Sequence, residues 1–250
     1  MKQTRFTAVL YCAVMVFLFT SCGGSADEKK ATADTTATNA DTTAKTTVAT
    51  PPPSTISTTP QNMAVVIHKV SNYAKWVTAF EADDSARVAS GLHKYVIGRG
   101  FMDTNMVMIA MKADDVTKAK AFSKDPHLKA AMQKAGVTGA PTILFTTSTW
   151  QDTATIPTTL RSLVTYGVKD WDTWLKTFED GKQERLDNGI TDRVVGHDVD
   201  DNKKISLLTA VVDTAKAFAY YKSDALKKRR EAAGVVGTPT RFLFNIVKRY

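Results

Sequence analysis

Val70-Ser71-Asn72-Tyr73-Ala74-Lys75-Trp76 returns as Val168-Lys169-Asp170-Trp171-Asp172-Thr173-Trp174, 98 positions later. Phe80, Arg87 and Gly91 follow the first stretch, and Phe178, Arg185 and Gly189 follow the second at the same spacing. Ala135-Gly-Val-Thr-Gly-Ala-Pro-Thr142 returns as Ala233-Gly-Val-Val-Gly-Thr-Pro-Thr240, and Ala119-Lys-Ala-Phe122 recurs as Ala215-Lys-Ala-Phe218. A module written twice sets the fold and its internal symmetry, without naming a reaction.

Each copy has one pattern of periodicities. Ala64 to Val70 is apolar and β-branched, a strand; Asn72, like Asp170, is a residue type that caps helices. Tyr73, Trp76 and Phe80 then form one stripe of a helix that Gly91 ends. Strands follow at Lys94–Arg99 and Met106–Met111, with a turn at Met102–Asn105. A helix runs over 116–135, with a break foreseen at Asp125-Pro126, and a last strand over 142–147. The second copy predicts strands at 162–168, 193–198, 204–210 and 240–247 and helices at 171–188 and 214–233. The order is β-α-β-β-α-β, a ferredoxin-like unit of class α+β.

Helices cover only one face of such a sheet, yet Val65, Val66, Ile67 and Val70, like Met106 through Ile109, are apolar at both parities. Both faces are therefore buried, and two sheets facing each other across a pseudo-two-fold axis achieve this within one chain. The expected domains are repeat 1 over 63–150 and repeat 2 over 157–250, closing an intramolecular α/β barrel. A monomer with an internal pseudodimer is expected, and a barrel formed between chains is the competing arrangement.

The N-terminus is a targeting segment: Lys2 and Arg5, then an apolar run from Phe6 to Phe19, too short to span a bilayer comfortably as a helix. Phe19-Thr20-Ser21-Cys22-Gly23 resembles the lipobox of bacterial lipoproteins, with Phe19 where that family usually has Leu. The resemblance implies a signal peptide over 1–21, lipidation of Cys22 and a chain anchored to a membrane of the bacterial cell envelope. Ordinary signal cleavage with a free thiol is the alternative. Residues 22–62 are Thr-, Ala- and Pro-rich and read as a disordered tether, or as a glycosylated stalk. Cys12 leaves with the signal, so the mature chain keeps one cysteine, which excludes an internal disulfide or a thiolate metal site.

The formal charge is +8, spread over both copies. The one dense run, Lys227-Lys-Arg-Arg230, falls in a predicted helix and reads as a solvated face, with a nucleic-acid or anionic-lipid patch as the alternative; it lacks interleaved aromatics, so no nucleic acid is expected as partner.

The repeated pattern His68-Lys-Val…Tyr73…Trp76…Phe80…Arg87…Gly91, with the Ala-Gly-Val-x-Gly-x-Pro loop, resembles the dimeric α/β-barrel superfamily over residues 63–250. That superfamily includes antibiotic-biosynthesis monooxygenase-like, muconolactone isomerase-like and haem-handling branches. The resemblance implies a pocket within each unit or between the sheets. Candidate ligand-binding residues are the polar side chains on apolar strands: His68 and its counterpart Tyr166, and the row Tyr95 and Arg99 with its counterpart Arg193 and His197. If the row shares an inward face it offers an anionic ligand charge-assisted hydrogen bonds; if it faces outward it is a solvated edge. Trp76, Trp174, Phe80 and Phe178 read as core, Arg87 and Arg185 as helix-end residues pairing with local carbonyls or acids, and His93 and His127 receive no role.

Catalytic residues are not assignable. The chain has no Gly-rich phosphate loop, no His-Glu-x-x-His, no Gly-x-Ser-x-Gly and no paired-carboxylate signature. The expectation is a membrane-tethered domain that binds a small apolar or anionic ligand, or a protein, without catalysis. No metal and no cofactor are expected. The alternatives are a cofactor-independent monooxygenase or isomerase, a haem protein with His68 or His197 as axial ligand, and a pure interaction module.

Overall fold

The computed structural model describes residues 54–250. The signal, Cys22 and the tether up to residue 53 lie outside the described residues. A two-residue strand β1 (Ile56–Ser57) precedes repeat 1, which consists of β2 (Gln61–Val70), α1 (Tyr73–Ala82), α2 (Asp84–Ala89), β3 (Leu92–Gly100), β4 (Met106–Ala113), α3 (Val116–Phe122), α4 (Pro126–Lys134) and β5 (Val137–Asp152). Repeat 2 consists of β6 (Leu160–Val168), α5 (Trp171–Asp180), α6 (Lys182–Asp187), β7 (Ile190–Asp198), β8 (Lys204–Val211), α7 (Thr214–Tyr221), α8 (Asp224–Ala232) and β9 (Val235–Arg249). Residues 56–57 and 61–62, at the end of the expected tether, are thus part of the sheet, because Ile56 and Ser57 pair with Asp152 and Gln151.

Within each repeat the strand order is that of a ferredoxin-like unit, β5-β2-β4-β3 and β9-β6-β8-β7. The repeats join edge to edge: β3 pairs with β9 and β5 with β7, all antiparallel. Eight strands therefore close on themselves and leave no free edge in the ring. Four antiparallel steps separate β2 from β6, so the two run the same way and the pseudo-two-fold axis lies along the barrel. The strands β2, β3, β6 and β7 all begin at one end, where β5 and β9 finish.

Strand alternation divides the core in two. Met63, Val65 and Ile67 join Val96, Met108, Leu144, Leu163, Phe242 and Phe244 inside the barrel, which an eight-stranded barrel fills with side chains. Ala64, Val66 and Val70 face outward, under Trp76 and the helices of repeat 1. At Gly98 an added Cβ would lie 2.2 Å from the fully buried Phe244 ring, so the ring needs the missing side chain.

The predicted long helices are each two. Asn72 Oδ1 accepts from the Lys75 amide at 2.9 Å and Asp170 Oδ1 from Thr173 at 2.8 Å, and such caps contribute about 1 kcal/mol each. The first helix stops at Asp83, or at Gly181 in repeat 2, because an arginine one element later caps its last carbonyls. Arg87 donates to the Phe80 carbonyl oxygen, and Arg185 Nη1 to that of Phe178 at 2.6 Å. The second break falls at Asp125-Pro126, as foreseen, with Asp125 capping α4.

Two further features depart from the sequence reading. From Val137 onward the Ala-Gly-Val-x-Gly-x-Pro segment is strand rather than loop. Val137 and Thr138 pair with Val70 and Lys69, the next three residues bulge out opposite His68, and pairing resumes at Thr142. Gly139 supplies the positive φ of 74° and Pro141 the missing donor that such a bulge tolerates. The second departure concerns α3 and α7. Their caps, Asp115 and Asp213, and their fully buried Ala119 and Ala217, are again 98 residues apart. Ala119-Lys-Ala-Phe122 is therefore not the structural equivalent of Ala215-Lys-Ala-Phe218. Phe122 corresponds to Tyr220, and Ser123 to Tyr221.

Candidate functional site

His68 sits on the outward face of β2 and is 4% exposed. Its ring meets Trp76 edge-on, 5.5 Å between centroids. Neither ring nitrogen reaches water or a hydrogen-bond partner among the described residues. Burial pushes the imidazole from its ordinary 6.5 down to about 4, so at neutral pH the ring is uncharged. A neutral imidazole carries one donor and one acceptor, and leaving them bare in a protein interior costs free energy.

The ring lines a cavity of about 560 Å³ between the sheet and the four helices of repeat 1. The other walls are mostly apolar: Val66, Trp76, Phe80, Ile109, Phe122, Leu128, Met132 and Phe145. Lys75, Asp83, Arg87 and Lys134 add the charged groups. The same space in repeat 2 is only about 70 Å³. Shifting each position by 98 shows what fills it: Tyr166 for His68, Tyr220 for Phe122, Tyr221 for Ser123, Arg229 for Ala131, Arg230 for Met132 and Arg241 for Ile143. These larger side chains hold one another. Tyr166 Oη accepts from Trp174 Nε1 at 3.1 Å, and burial pushes its phenol up to about 12. The Arg241 guanidinium lies 3.6 Å over the Tyr221 ring and bonds Ser162 Oγ, while Arg229 pairs with Glu184. Half of the Lys227–Arg230 run thus turns inward and is not simply a solvated face.

Arg87 in the cavity wall is 4% exposed, with its Nε unpartnered. The equivalent Arg185 binds Asp192 through Nε at 2.8 Å and Nη2 at 2.7 Å. Repeat 1 has Lys94 where repeat 2 has Asp192. Arg87 leans instead on Asp84, 3.3 Å away, and on the Phe80 carbonyl and ring. Both arginines do pair with local carbonyls and acids, as their helix-end positions suggested.

The row of Tyr95, Arg99, Arg193 and His197 does not share a face. A β-bulge at Tyr95, between the pairs Lys94↔Met111 and Val96↔Ala110, breaks the alternation, and another does so at Arg193. Tyr95 packs with the barrel interior. Arg99 is outside, its guanidinium 4.2 Å over Tyr73 and its Nε donating to the Thr104 carbonyl oxygen. Arg193 lies at the barrel end with Tyr95, donating to Asp152 and to the Ala154 carbonyl oxygen. His197 stands edge-on to Trp171 at 4.9 Å, and its Nδ1 hydrogen-bonds the Asp198 carbonyl oxygen. Of the six strand residues singled out, only His68 lines the large cavity.

No family model and no curated protein matches the sequence. Solved structures do. An anthrone oxidase-like protein superposes with a TM-score of 0.53 at 11% identity, over 76% of this chain and 92% of its own. The fold is the dimeric α/β barrel. A candidate monooxygenase of Fusobacterium nucleatum (TM-score 0.48, 12% identity, 76% and 93% covered) and a chlorite dismutase variant of Candidatus Nitrospira defluvii (0.44, 10%, 77% and 92%) are more distant. At 11% identity the likeness to the anthrone oxidase-like protein establishes the dimeric α/β-barrel fold alone. Among the described residues no three His, Cys, Asp or Glu side chains gather as a metal site, and no helix is long and apolar enough to cross a membrane.

Proposed function

We propose that repeat 1 binds one small, largely apolar ligand in the cavity under its helices, with a polar atom of that ligand hydrogen-bonded to His68. The carrying observation is that His68, a buried histidine with both ring nitrogens unpartnered, lines a space whose counterpart repeat 2 fills with tyrosines and arginines. A cavity of this size with few polar groups is typical of small-molecule sites, and a ligand atom on the imidazole would remove the cost of an unsatisfied buried ring. Repeat 2 then serves as the structural partner that completes the barrel. The closed ring supports a monomeric protein, since among the described residues the eight strands of the ring leave no edge for a second chain. Attachment to an envelope membrane through a lipid on Cys22 belongs to the same reading and rests on the lipobox.

Binding without catalysis is the form favoured, because the other candidates, Arg99, Arg193 and His197, are directed elsewhere. Haem is the second reading, favoured by the bare His68 nitrogens. His68 would hold its iron and Lys75 and Lys134 its carboxylates, and the iron would supply redox chemistry.

Native mass spectrometry of the full chain, gently extracted from its membrane, tests this. The expected result is a monomer carrying a reproducible excess mass that disappears in the double variant His68→Tyr/Ser123→Tyr, which copies repeat 2. A Soret band lost in His68→Ala would identify haem. A folded monomer at the bare sequence-plus-lipid mass, or an excess mass that survives in the double variant, overturns the proposal.

A further inference from the structure

The linker between the repeats, residues 153–159, starts and finishes at the end of the barrel where β2, β3, β6 and β7 begin. Arg161 is the second residue of β6, and its side chain points inward, in phase with Leu163 of the barrel core and opposite in phase to Ser162 under the helices. It is 3% exposed. Nη1 donates to the carbonyl oxygens of Thr158 at 2.8 Å and Leu160 at 3.0 Å. Among the described residues, Nε and Nη2 make no hydrogen bond, and no carboxylate lies within 4 Å of the guanidinium.

The charges nearest Arg161 have its own sign. Arg193, 7% exposed, shares this end of the barrel, as does Arg249, the last residue of β9. Burial first, and then the charges of Arg193 and Arg249, push the Arg161 guanidinium down to about 10, and it remains a cation at neutral pH. Lys112 adds a fourth positive charge, 5.1 Å over the ring of Tyr95. The only carboxylate paired with any of them among the described residues is Asp152, 3.3 Å from Arg193 Nη1. A buried cation beside like charges and without a counter-ion is a costly arrangement, and a small anion is what relieves it. Nothing in the fold demands the charge here, since the positions equivalent to Arg161 and Arg193 in repeat 1 are Met63 and Tyr95, both packed into the barrel core.

We propose that this end of the barrel is an anion site, in which Arg161 and Arg193, with Arg249 at the rim, hold a small free oxyanion of the phosphate, sulfate or carboxylate class. Guanidinium groups match such oxyanions through paired N–H donors. The depth of Arg161 selects an ion that enters the barrel mouth over a group fixed on a flat surface. Because Arg161 and Arg193 also hold the carbonyl oxygens of Thr158 and Ala154, the bound ion would tie the two repeats together through their linker. The site is separate from the His68 cavity and does not depend on it.

The test is thermal unfolding of the full chain in inorganic phosphate against sodium chloride at matched ionic strength. Phosphate is expected to raise the midpoint saturably by several degrees beyond chloride, as linkage requires of an ion that binds only the folded state. Arg161→Met, which places at this position the residue found in repeat 1, is expected to fold and to lose the phosphate-specific rise. Arg249→Gln, at an exposed side chain, covers the case in which Arg161→Met fails to fold. It is expected to weaken phosphate by up to about fivefold, as for one partly solvated charge. His68→Tyr/Ser123→Tyr is expected to keep the full phosphate response, so this site and the cavity stand or fall separately. Equal midpoints in phosphate and chloride for the wild-type chain, or an undiminished phosphate rise in Arg161→Met, overturn the proposal.

Discussion

Tyr166 stands in repeat 2 where His68 stands in repeat 1, and the exchange reverses the hydrogen bonding under the helix. The tyrosine accepts from the indole of Trp174, whereas the histidine touches Trp76 only edge-on and keeps both nitrogens bare. At this one place the duplicated frame is filled in repeat 2 and open in repeat 1.

The buried imidazole makes stability depend on pH. Its folded pKa, about 4, lies below the 6.5 of the unfolded chain, so between these values the unfolded state binds more protons. The contribution is complete above pH 6.5 and is lost as pH falls towards 4. The shift corresponds to about 3 kcal/mol at most. Urea unfolding at pH 7 and pH 5 is expected to show a larger acid loss in wild type than in His68→Phe, and equal losses would contradict the assignment.

Asp192→Ala leaves Arg185 buried without its carboxylate and is expected to destabilise the chain by about 3–5 kcal/mol. The double variant Arg185→Met/Asp192→Leu removes both charges and is expected to lose much less. Denaturant midpoints of the three proteins decide this.

The β5–β7 seam depends on Gly196. A Cβ there would lie 2.3 Å from the Thr147 carbonyl oxygen. Gly196→Ala is expected to cost about 1–3 kcal/mol by overpacking and to speed amide exchange along β5 and β7. Gly139→Ala, with no atom within 4 Å of its Cβ, meets only its left-handed φ of 74° and is expected to cost about 1 kcal/mol.

Glu81 binds the other seam, accepting from Lys94 at 3.1 Å, Lys248 at 2.6 Å and Tyr250. Burial alone would raise its pKa, but these hydrogen bonds outweigh it and hold the carboxyl at about 2, below its ordinary 4.5. The stability it contributes is present above pH 4.5 and is lost as pH falls towards 2. Glu81→Gln is expected to flatten that part of the acid-unfolding curve, and an unchanged curve would refute the linkage.

The architecture was legible because a helix stripe and its cap are local. Asn72, Trp76 and Phe80 recur at a fixed distance, and the core they imply is the one observed. The candidate site was only half legible. His68 could be marked as a polar residue on an apolar strand, but the emptiness beside it could not. Reading Phe122 as the counterpart of Phe218 made the copies look alike. The caps at Asp115 and Asp213 pair Phe122 with Tyr220 and Ser123 with Tyr221, and the difference in volume then follows. The row of Tyr95, Arg99, Arg193 and His197 failed because alternation assumes an unbroken ladder, and one bulged residue in each strand turns the following side chains over. Arg161 carried no signal, since a lone arginine at the start of an apolar strand reads as a solvated end.

The sequence alone determined the duplication, the βαββαβ order, and the apolar character of both sheet faces, because these depend on contacts a few residues apart or on a repeat that can be counted. Only the tertiary structure decided which copy keeps the space beside its first strand open, which polar side chains meet, and that three arginines gather at one barrel mouth. Those outcomes depend on the volumes and charges of residues brought together from β2, β6, β7 and β9, and neither volume nor charge at a distance is encoded in local periodicity.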